Sequence, residues 1–290
     1  MKMETNRKML RGARLSKSLP PPLKWAGGKR WQVPLVESLW RPHANRRFVE
    51  PFCGGLAITL GLMPQAALLN DINPHVINFY RRLGKGLRIH LRLENDSAVF
   101  YQHRRRFNRL LSDGKGFSPE AAALFYYLNR TAYNGLCRFN NRGEFNVPFG
   151  RYKSIRYVDD FTPYRDRLAA WEFVVGDFER LNLGRDDFVY ADPPYDVEFT
   201  KYAKEGFGWL DQVRTAEWLS AHAGPVVLVN QATDRICRLY ADLGFRLEFL
   251  VAPRRISCTG DRTPAREVFA VRNLQRGPKG PGLRTATRAT

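Results

Sequence analysis

Phe188-Val189-Tyr190-Ala191-Asp192-Pro193-Pro194-Tyr195 reads as a short apolar strand that stops on a carboxylate, two prolines and an aromatic ring. Four apolar residues closed by such a stop have strand length rather than helix length. Open α/β sheets take their ligands at the carboxyl ends of their strands, so this turn marks the functional edge of the molecule. Working outward, apolar runs recur at Phe48 to Phe52, Ala67 to Asn70, Glu172 to Val175 and Pro225 to Val229, with helical stretches between them. That alternation predicts a parallel α/β sheet. Two later runs, Phe245 to Val251 and Glu267 to Val271, leave little room for a helix between them and predict an antiparallel pair at one edge. The interval from Tyr80 to Tyr164 is too long for one crossover. It predicts an inserted subdomain, mainly helical, with a basic helix over His103 to Arg109 and another opened by Ser118 as N-cap and Pro119 in the first turn.

The chemistry of the opening stretch concerns an amine. The exocyclic nitrogen of adenine or cytosine is a poor nucleophile, because its lone pair is delocalised into the ring. Two acceptors on its N–H bonds favour a tetrahedral nitrogen whose lone pair points at an electrophile. The Asp192 carboxylate and the Pro193 carbonyl are two such acceptors. Pro193 and Pro194 fix φ and carry no N–H, so the carbonyl is held outward without a competing donor, and Tyr195 is available to stack on a base. An ordinary strand followed by a Pro-Pro turn is the alternative for this tetrapeptide taken alone.

The chain has 290 residues with 44% hydrophobic content, enough for one large core or a core with an inserted subdomain. Lys and Arg total 47 against 28 acids, a formal charge of +19. Such an excess points to a polyanion as partner. No apolar run has the length of a membrane span, and no amphipathic apolar stripe accompanies the charge. Cys53, Cys137, Cys237 and Cys258 form no C-x-x-C pair and the five histidines are scattered, so neither a zinc site nor a disulfide framework is indicated. Free cysteines without a secretory segment suggest a reducing cytosol. The basic run from Met1 reads as a disordered arm ending at Pro20-Pro21-Pro22, and Gln275 to Thr290 as a disordered basic tail.

Phe48-Val49-Glu50-Pro51-Phe52-Cys53-Gly54-Gly55 is a strand running into a glycine turn, followed by a helical stretch over Leu56 to Met63. Glycines let a ligand approach the backbone closely. One strand later, Leu69-Asn70-Asp71-Ile72-Asn73 brings an acid at a spacing suited to ribose hydroxyls. Neither a G-x-G-x-x-G cradle nor a P-loop is present, since Gly27-Gly28-Lys29 lacks the upstream glycine and the following Ser or Thr. A nucleoside cofactor without a pyrophosphate fits better. In Lys24-Trp25-Ala26-Gly27-Gly28-Lys29-Arg30, Trp25 is suited to stacking on adenine and Lys29 to a carboxylate.

Taken in order, Lys24 to Lys29, Glu50 to Gly55, Asn70 to Asn73 and Asp192 to Tyr195 resemble the Dam-like (D12 class) family of N6-adenine DNA methyltransferases. Tyr127 to Arg130, Tyr133 to Asn140 and Arg142 to Lys153 resemble the target-recognition hairpin of its GATC-specific members. The resemblance runs from about Leu23 to Leu274. It implies a Rossmann-like S-adenosylmethionine-dependent sheet with a mainly helical insertion. Residues 23–80 and 165–274 would form the catalytic domain, 81–164 the recognition subdomain, 1–22 a basic arm and 275–290 a basic tail. It implies methyl transfer from S-adenosyl-L-methionine to adenine N6 in double-stranded DNA, by base flipping and direct attack, in a cytoplasmic, bacterial or phage-encoded monomer with no membrane and no metal. By position, Trp25, Lys29, Glu50, Phe52, Gly54, Gly55, Asp71 and Asp192 would bind the cofactor. Asp192, Pro193, Pro194 and Tyr195 would form the catalytic turn. Leu136, Arg138, Asn140, Pro148 and Arg151 would contact the GATC bases, with Tyr133 and Asn134 filling the gap left by the flipped base. Arginine reads guanine bidentately, which agrees with Arg138 and Arg151 as base readers.

The sequence departs from the family pattern at Phe52-Cys53-Gly54-Gly55-Leu56, where a Phe-x-Gly-x-Gly order is usual. Phe199-Thr200-Lys201-Tyr202 with Gly206-Phe207-Gly208 resembles a short form of the family's mobile lid. Asn230-Gln231-Ala232 receives no role. No Pro-Cys dipeptide occurs, which disfavours attack at a cytosine ring carbon. Cytosine N4 methylation, an RNA substrate, another target sequence and an inactive DNA-binding regulator stay open at this point.

Overall fold

A computed structural model describes residues 18–158, 160–196, 207–252 and 265–275. Its seven strands are β1 (Phe48–Glu50), β2 (Ala67–Asp71), β3 (Glu172–Val175), β4 (Phe188–Ala191), β5 (Val226–Gln231), β6 (Arg246–Ala252) and β7 (Ala265–Arg272). They form one sheet in the order β3-β2-β1-β4-β5-β7-β6. Strands β1 to β5 are parallel, while β7 runs antiparallel to both β5 and β6. The expected antiparallel edge pair is therefore present, with β7 on its inner side. The chain leaves β1 toward β2 and β3, then returns to place β4 on the other side of β1. This reversal opens a crevice at the carboxyl ends of β1 and β4, where open α/β sheets bind ligands.

The helices are α1 (Val33–Trp40), α2 (Thr59–Leu62), α3 (Pro74–Gly84), α4 (Ser97–Ser112), α5 (Pro119–Thr131), α6 (Thr162–Ala170), α7 (Trp209–Ser220) and α8 (Asp234–Asp242). Their starts are chemically explicit. Ser118 Oγ accepts from Ala121 N at 3.1 Å, with Pro119 in the first turn of α5. Asn73 Oδ1 accepts from His75 N at 3.0 Å and opens α3. Where a helix was expected over Leu56 to Met63, only the four residues of α2 are helical. Leu56 and Met63 both have left-handed φ, 56° and 52°, and these bracket the turn.

Alternation along the strands builds both faces. Phe48, Phe188, Tyr190, Val227 and Val229 pack beneath α1, while Val49, Val189, Val226 and Leu228 face the other way, toward residues of α7 and α8. The helices α3, α4 and α5 pack with Leu69 of β2 and Phe173 of β3 in one continuous cluster, so the insertion shares its core with the sheet. Phe139 and Phe145 pair across a short hairpin beyond α5. The proline run expected to end a free arm is docked instead: Leu19 N donates to Leu60 O at 3.0 Å and Tyr164 Oη to Pro20 O at 2.7 Å. Among the described residues no helix is long and apolar enough to cross a membrane. Residues 1–17, Phe199 to Tyr202, Gly206, Cys258 and the tail after Gln275 lie outside the described residues.

Candidate functional site

The Asp192-Pro193-Pro194-Tyr195 turn follows β4 directly, at the reversal between β4 and β1. Lys29, only 4% exposed, points into it. Its Nζ lies 3.2 Å from Asp192 Oδ1, donates to Gly27 O at 2.8 Å and sits 4.6 Å from the centre of the Tyr195 ring. Sequence reasoning reserved Lys29 for a cofactor carboxylate, yet its nearest carboxylate is that of Asp192. A second one, Glu267 of β7, lies 3.8 Å away and accepts from Gln32 Nε2 at 2.9 Å. In the sequence Glu267 reads only as the start of an edge strand, with no site role. It reaches the site because β7 runs backward, which puts the start of that strand level with the carboxyl ends of the others. Asp192 Oδ1 is buried and makes no well-directed hydrogen bond, and the Tyr195 hydroxyl is likewise buried without one. Burial pushes the Asp192 carboxyl up to about 6 against the pull of Lys29, with Glu267 adding to the rise.

The glycine turn is fixed from the next strand. Asp71 Oδ2 accepts from Gly54 N at 2.9 Å and Asp71 Oδ1 from Asn73 N at 2.8 Å, so this acid holds the turn while each oxygen keeps a further lone pair. Burial raises its carboxyl above the usual range, opposed by these two N–H groups. Gly54 has φ +43°, and a Cβ there would stand 2.5 Å from Trp25 Nε1; one on Gly55 would stand 2.8 Å from Trp25 Cβ. Close approach is thus used first by the Trp25 indole, which covers the turn. Phe52 meets Phe178 at 5.3 Å and Phe207 at 5.6 Å, centroid to centroid, in an aromatic cluster beside the ends of β1 and β3. Glu50 turns inward: it is buried, and Thr59 Oγ1 donates to its Oε2 at 2.7 Å. Two further residues belong here. Ile72, 73% exposed beside Asp71, offers apolar surface to a flat ring, and Phe178, 4% exposed, backs Phe52 from within the core. Only the place of Ile72 directly after β2 could have flagged it. A glycine turn, an acid with free lone pairs, the exposed Ile72 and the Asp192 carboxylate at the β1/β4 crevice fit a nucleoside cofactor.

The hairpin after α5 presents Tyr133 (45% exposed), Arg138, Pro148 and Arg151 to solvent. Tyr133 N donates to Pro148 O at 2.9 Å, which joins the two ends of the segment. Asn134 takes a left-handed φ of 52° and Arg151 one of 49°. Arg138 Nε donates to Asn146 Oδ1 at 2.8 Å, and Leu136 packs inward on the core. Asn140 is engaged within the hairpin: its Oδ1 accepts from Arg142 N and Glu144 N, and its Nδ2 donates to Glu144 Oε2 at 2.8 Å. The hairpin rests on α4. Asn108 clamps Phe145 by both backbone groups, Nδ2 to O at 3.1 Å and Phe145 N to Oδ1 at 2.9 Å, and Arg104 donates to Val147 O at 3.2 Å. One arginine of the Arg104 to Arg106 run thus supports the hairpin backbone.

A family model described as D12 class N6 adenine-specific DNA methyltransferase matches residues 25–251. A DNA N-6-adenine-methyltransferase of Escherichia phage P1 is 35% identical over 269 residues, covering 86% of this chain and 35% of its own length. This chain therefore spans about a third of that relative. The retron Ec67 DNA adenine methylase of Escherichia coli is 32% identical over 86% of this chain and 90% of its own. A DNA adenine methylase of Vibrio cholerae is 35% identical over 82% and 90%, respectively.

Proposed function

Since the chain belongs to the D12 class of N6-adenine-specific DNA methyltransferases and takes S-adenosyl-L-methionine as cofactor, we propose that it methylates adenine within GATC of duplex DNA, as a monomer, by flipping the base and attacking directly. When bound, S-adenosylmethionine supplies an electrophilic methyl group on a sulfonium. Trp25, Phe52, the Gly54-Gly55 turn, Asp71 and Ile72 would hold its nucleoside end, with Phe178 backing Phe52. Glu50 supports the wall behind them through Thr59. The Asp192 carboxylate and the Pro193 carbonyl accept the two N6 hydrogens, which localises the nitrogen lone pair. Asp192 then takes the proton released from N6. Lys29 and burial act on it in opposite directions, which leaves it ionised yet basic near neutral pH. Tyr195 stacks on the flipped ring, and the exposed Tyr133 fills the gap, against a flipping cost of a few kcal/mol. Arg138 and Arg151 read the guanines, each good bidentate pair being worth about 1–3 kcal/mol.

The observation that carries this reading is the Asp192 carboxylate held beside Lys29 at the β1/β4 crevice. The test is transfer of labelled methyl into short duplexes containing GATC, its single-base variants or no such site, with Asp192→Ala alongside. Label in the GATC duplex alone, abolished by the substitution, is the expected outcome. Transfer spread evenly over all duplexes would remove the sequence assignment, and transfer undiminished in Asp192→Ala would remove the mechanism.

A further inference from the structure

The catalytic turn is short of its own donors. Pro193 and Pro194 have no N–H, so the turn relies on the groups that flank Tyr195, among them the Pro194 carbonyl and the Asp196 N–H. A buried amide cluster holds both. Gln212 of α7 donates Nε2 to Pro194 O at 2.7 Å, and Asn230 of β5 accepts the Asp196 N–H on Oδ1 at 3.2 Å. The two amides are joined to each other, Asn230 Nδ2 to Gln212 Oε1 at 2.9 Å, and Asn230 Nδ2 also meets Tyr240 Oη of α8 at 3.1 Å. Gln231 N adds a second donor to Asn230 Oδ1 at 2.8 Å, which completes the hydrogen-bonding capacity of that amide. Asn230 is 0% and Gln212 1% exposed. Outside this pair, the Asp196 carboxylate accepts from Arg235 Nε at 2.5 Å and Thr233 Oγ1 at 3.2 Å.

We propose that Gln212 and Asn230 are positioning residues for methyl transfer, acting through the catalytic turn. They fix the peptides on either side of Tyr195, and with them the direction of the Pro193 carbonyl and the plane of the Tyr195 ring. Neither side chain touches the transferred group. The inference rests on the reading of Asp192 to Tyr195 as the amine-binding turn. A saturated and rigid amide pair is suited to the task, because a pose error of about 1 Å at reacting atoms costs on the order of a hundredfold in rate.

The test uses the full chain carrying Gln212→Met, which removes the donor to Pro194, and Asn230→Asp, which keeps the acceptor for Asp196 and removes the link to Gln212. Gln212→Glu replaces the first should it fail to fold. Three quantities are read: the single-turnover rate of methyl transfer at saturating cofactor and GATC duplex, the Kd for S-adenosylmethionine, and the Kd for the duplex. The expected result is a rate lowered at least about tenfold in both variants, with both Kd values within about twofold of the parent. A rate within about twofold of the parent overturns the proposal, as does a fall matched by equal weakening of either Kd, which marks general loosening. Asp192→Ala in the same assay separates the two claims. If it abolishes transfer while the amide variants do not change it, the positioning role alone fails. If it leaves transfer intact, the reading of the turn fails as well.

Discussion

Glu50→Gln should make the protein more stable, by an amount that grows with pH. Glu50 lies at the carboxyl end of β1, 3% exposed, with the Thr59 hydroxyl on one oxygen. Lys29 pairs with Asp192 and Glu267, so the cation of the site is committed elsewhere. Burial pushes the Glu50 carboxyl from its ordinary 4.5 up to about 8, with the nearby Asp192 charge adding to the rise and the Thr59 hydrogen bond opposing it. A carboxyl raised on folding contributes stability that is fully present below its unfolded value, lost progressively as pH rises, and gone above the folded value. The window is therefore from about 4.5 to about 8. Each pH unit is worth about 1.4 kcal/mol, so the ceiling is roughly 5 kcal/mol; local relaxation and water entry should bring it to about 2–3 kcal/mol. Glutamine keeps the shape and an acceptor for Thr59 without a titrating proton. Urea unfolding followed by tryptophan fluorescence, on both proteins between about pH 5 and about pH 8, reads the difference directly. It should be near zero or unfavourable to the variant at the acid end and favourable by about 2 kcal/mol at the alkaline end. A difference that stays constant across that range would refute the argument.

With Asp192 pushed up to about 6, single-turnover methyl transfer should fall on acidification below that value. Lys29→Met, which removes the attraction that lowers this carboxyl, should move the fall to higher pH; a profile identical to the parent would count against the ion pair. Gly54→Ala sets a Cβ 2.5 Å from the Trp25 indole at a left-handed φ, a strain of about 1–3 kcal/mol that should appear as weaker S-adenosylmethionine binding by calorimetry. Unchanged affinity would show that the turn and Trp25 do not form the cofactor wall. Asn108→Ala leaves the Phe145 N–H and carbonyl without their clamp, at about 1–3 kcal/mol. The ratio of kcat/KM on GATC to single-base variants should drop, whereas transfer to GATC at saturation should change less. An unaltered ratio would detach α4 from recognition.

The strands were legible because each is a short apolar run closed by a polar or glycine stop, and the Ser118 cap because its chemistry is local. The order of the catalytic, glycine and acidic motifs was legible for the same reason. Long-range partners were not. Asn230 looked idle in the sequence because its partners Asp196 and Gln212 lie 34 and 18 residues away and only β4, β5 and α7 bring them together. Glu267 was hidden because the apolar runs predict an antiparallel edge pair without saying that β7 is the one beside β5, where its start reaches the site. Asn140 looked like a base reader, yet its amide makes the hairpin turn, the usual local alternative for asparagine. The helix expected after the glycines is shortened because two non-glycine residues, Leu56 and Met63, adopt left-handed φ, which no local residue pattern announces.

Because α4 and α5 contribute to the same apolar cluster as β2 and β3, and because Asn108 grips the hairpin backbone from below, the proposed reading element is no detachable cassette. If Arg138 and Arg151 read bases as proposed, a different sequence preference is better transplanted by exchanging those solvent-facing side chains than by splicing in a foreign hairpin, whose underside would meet a floor shaped for another chain.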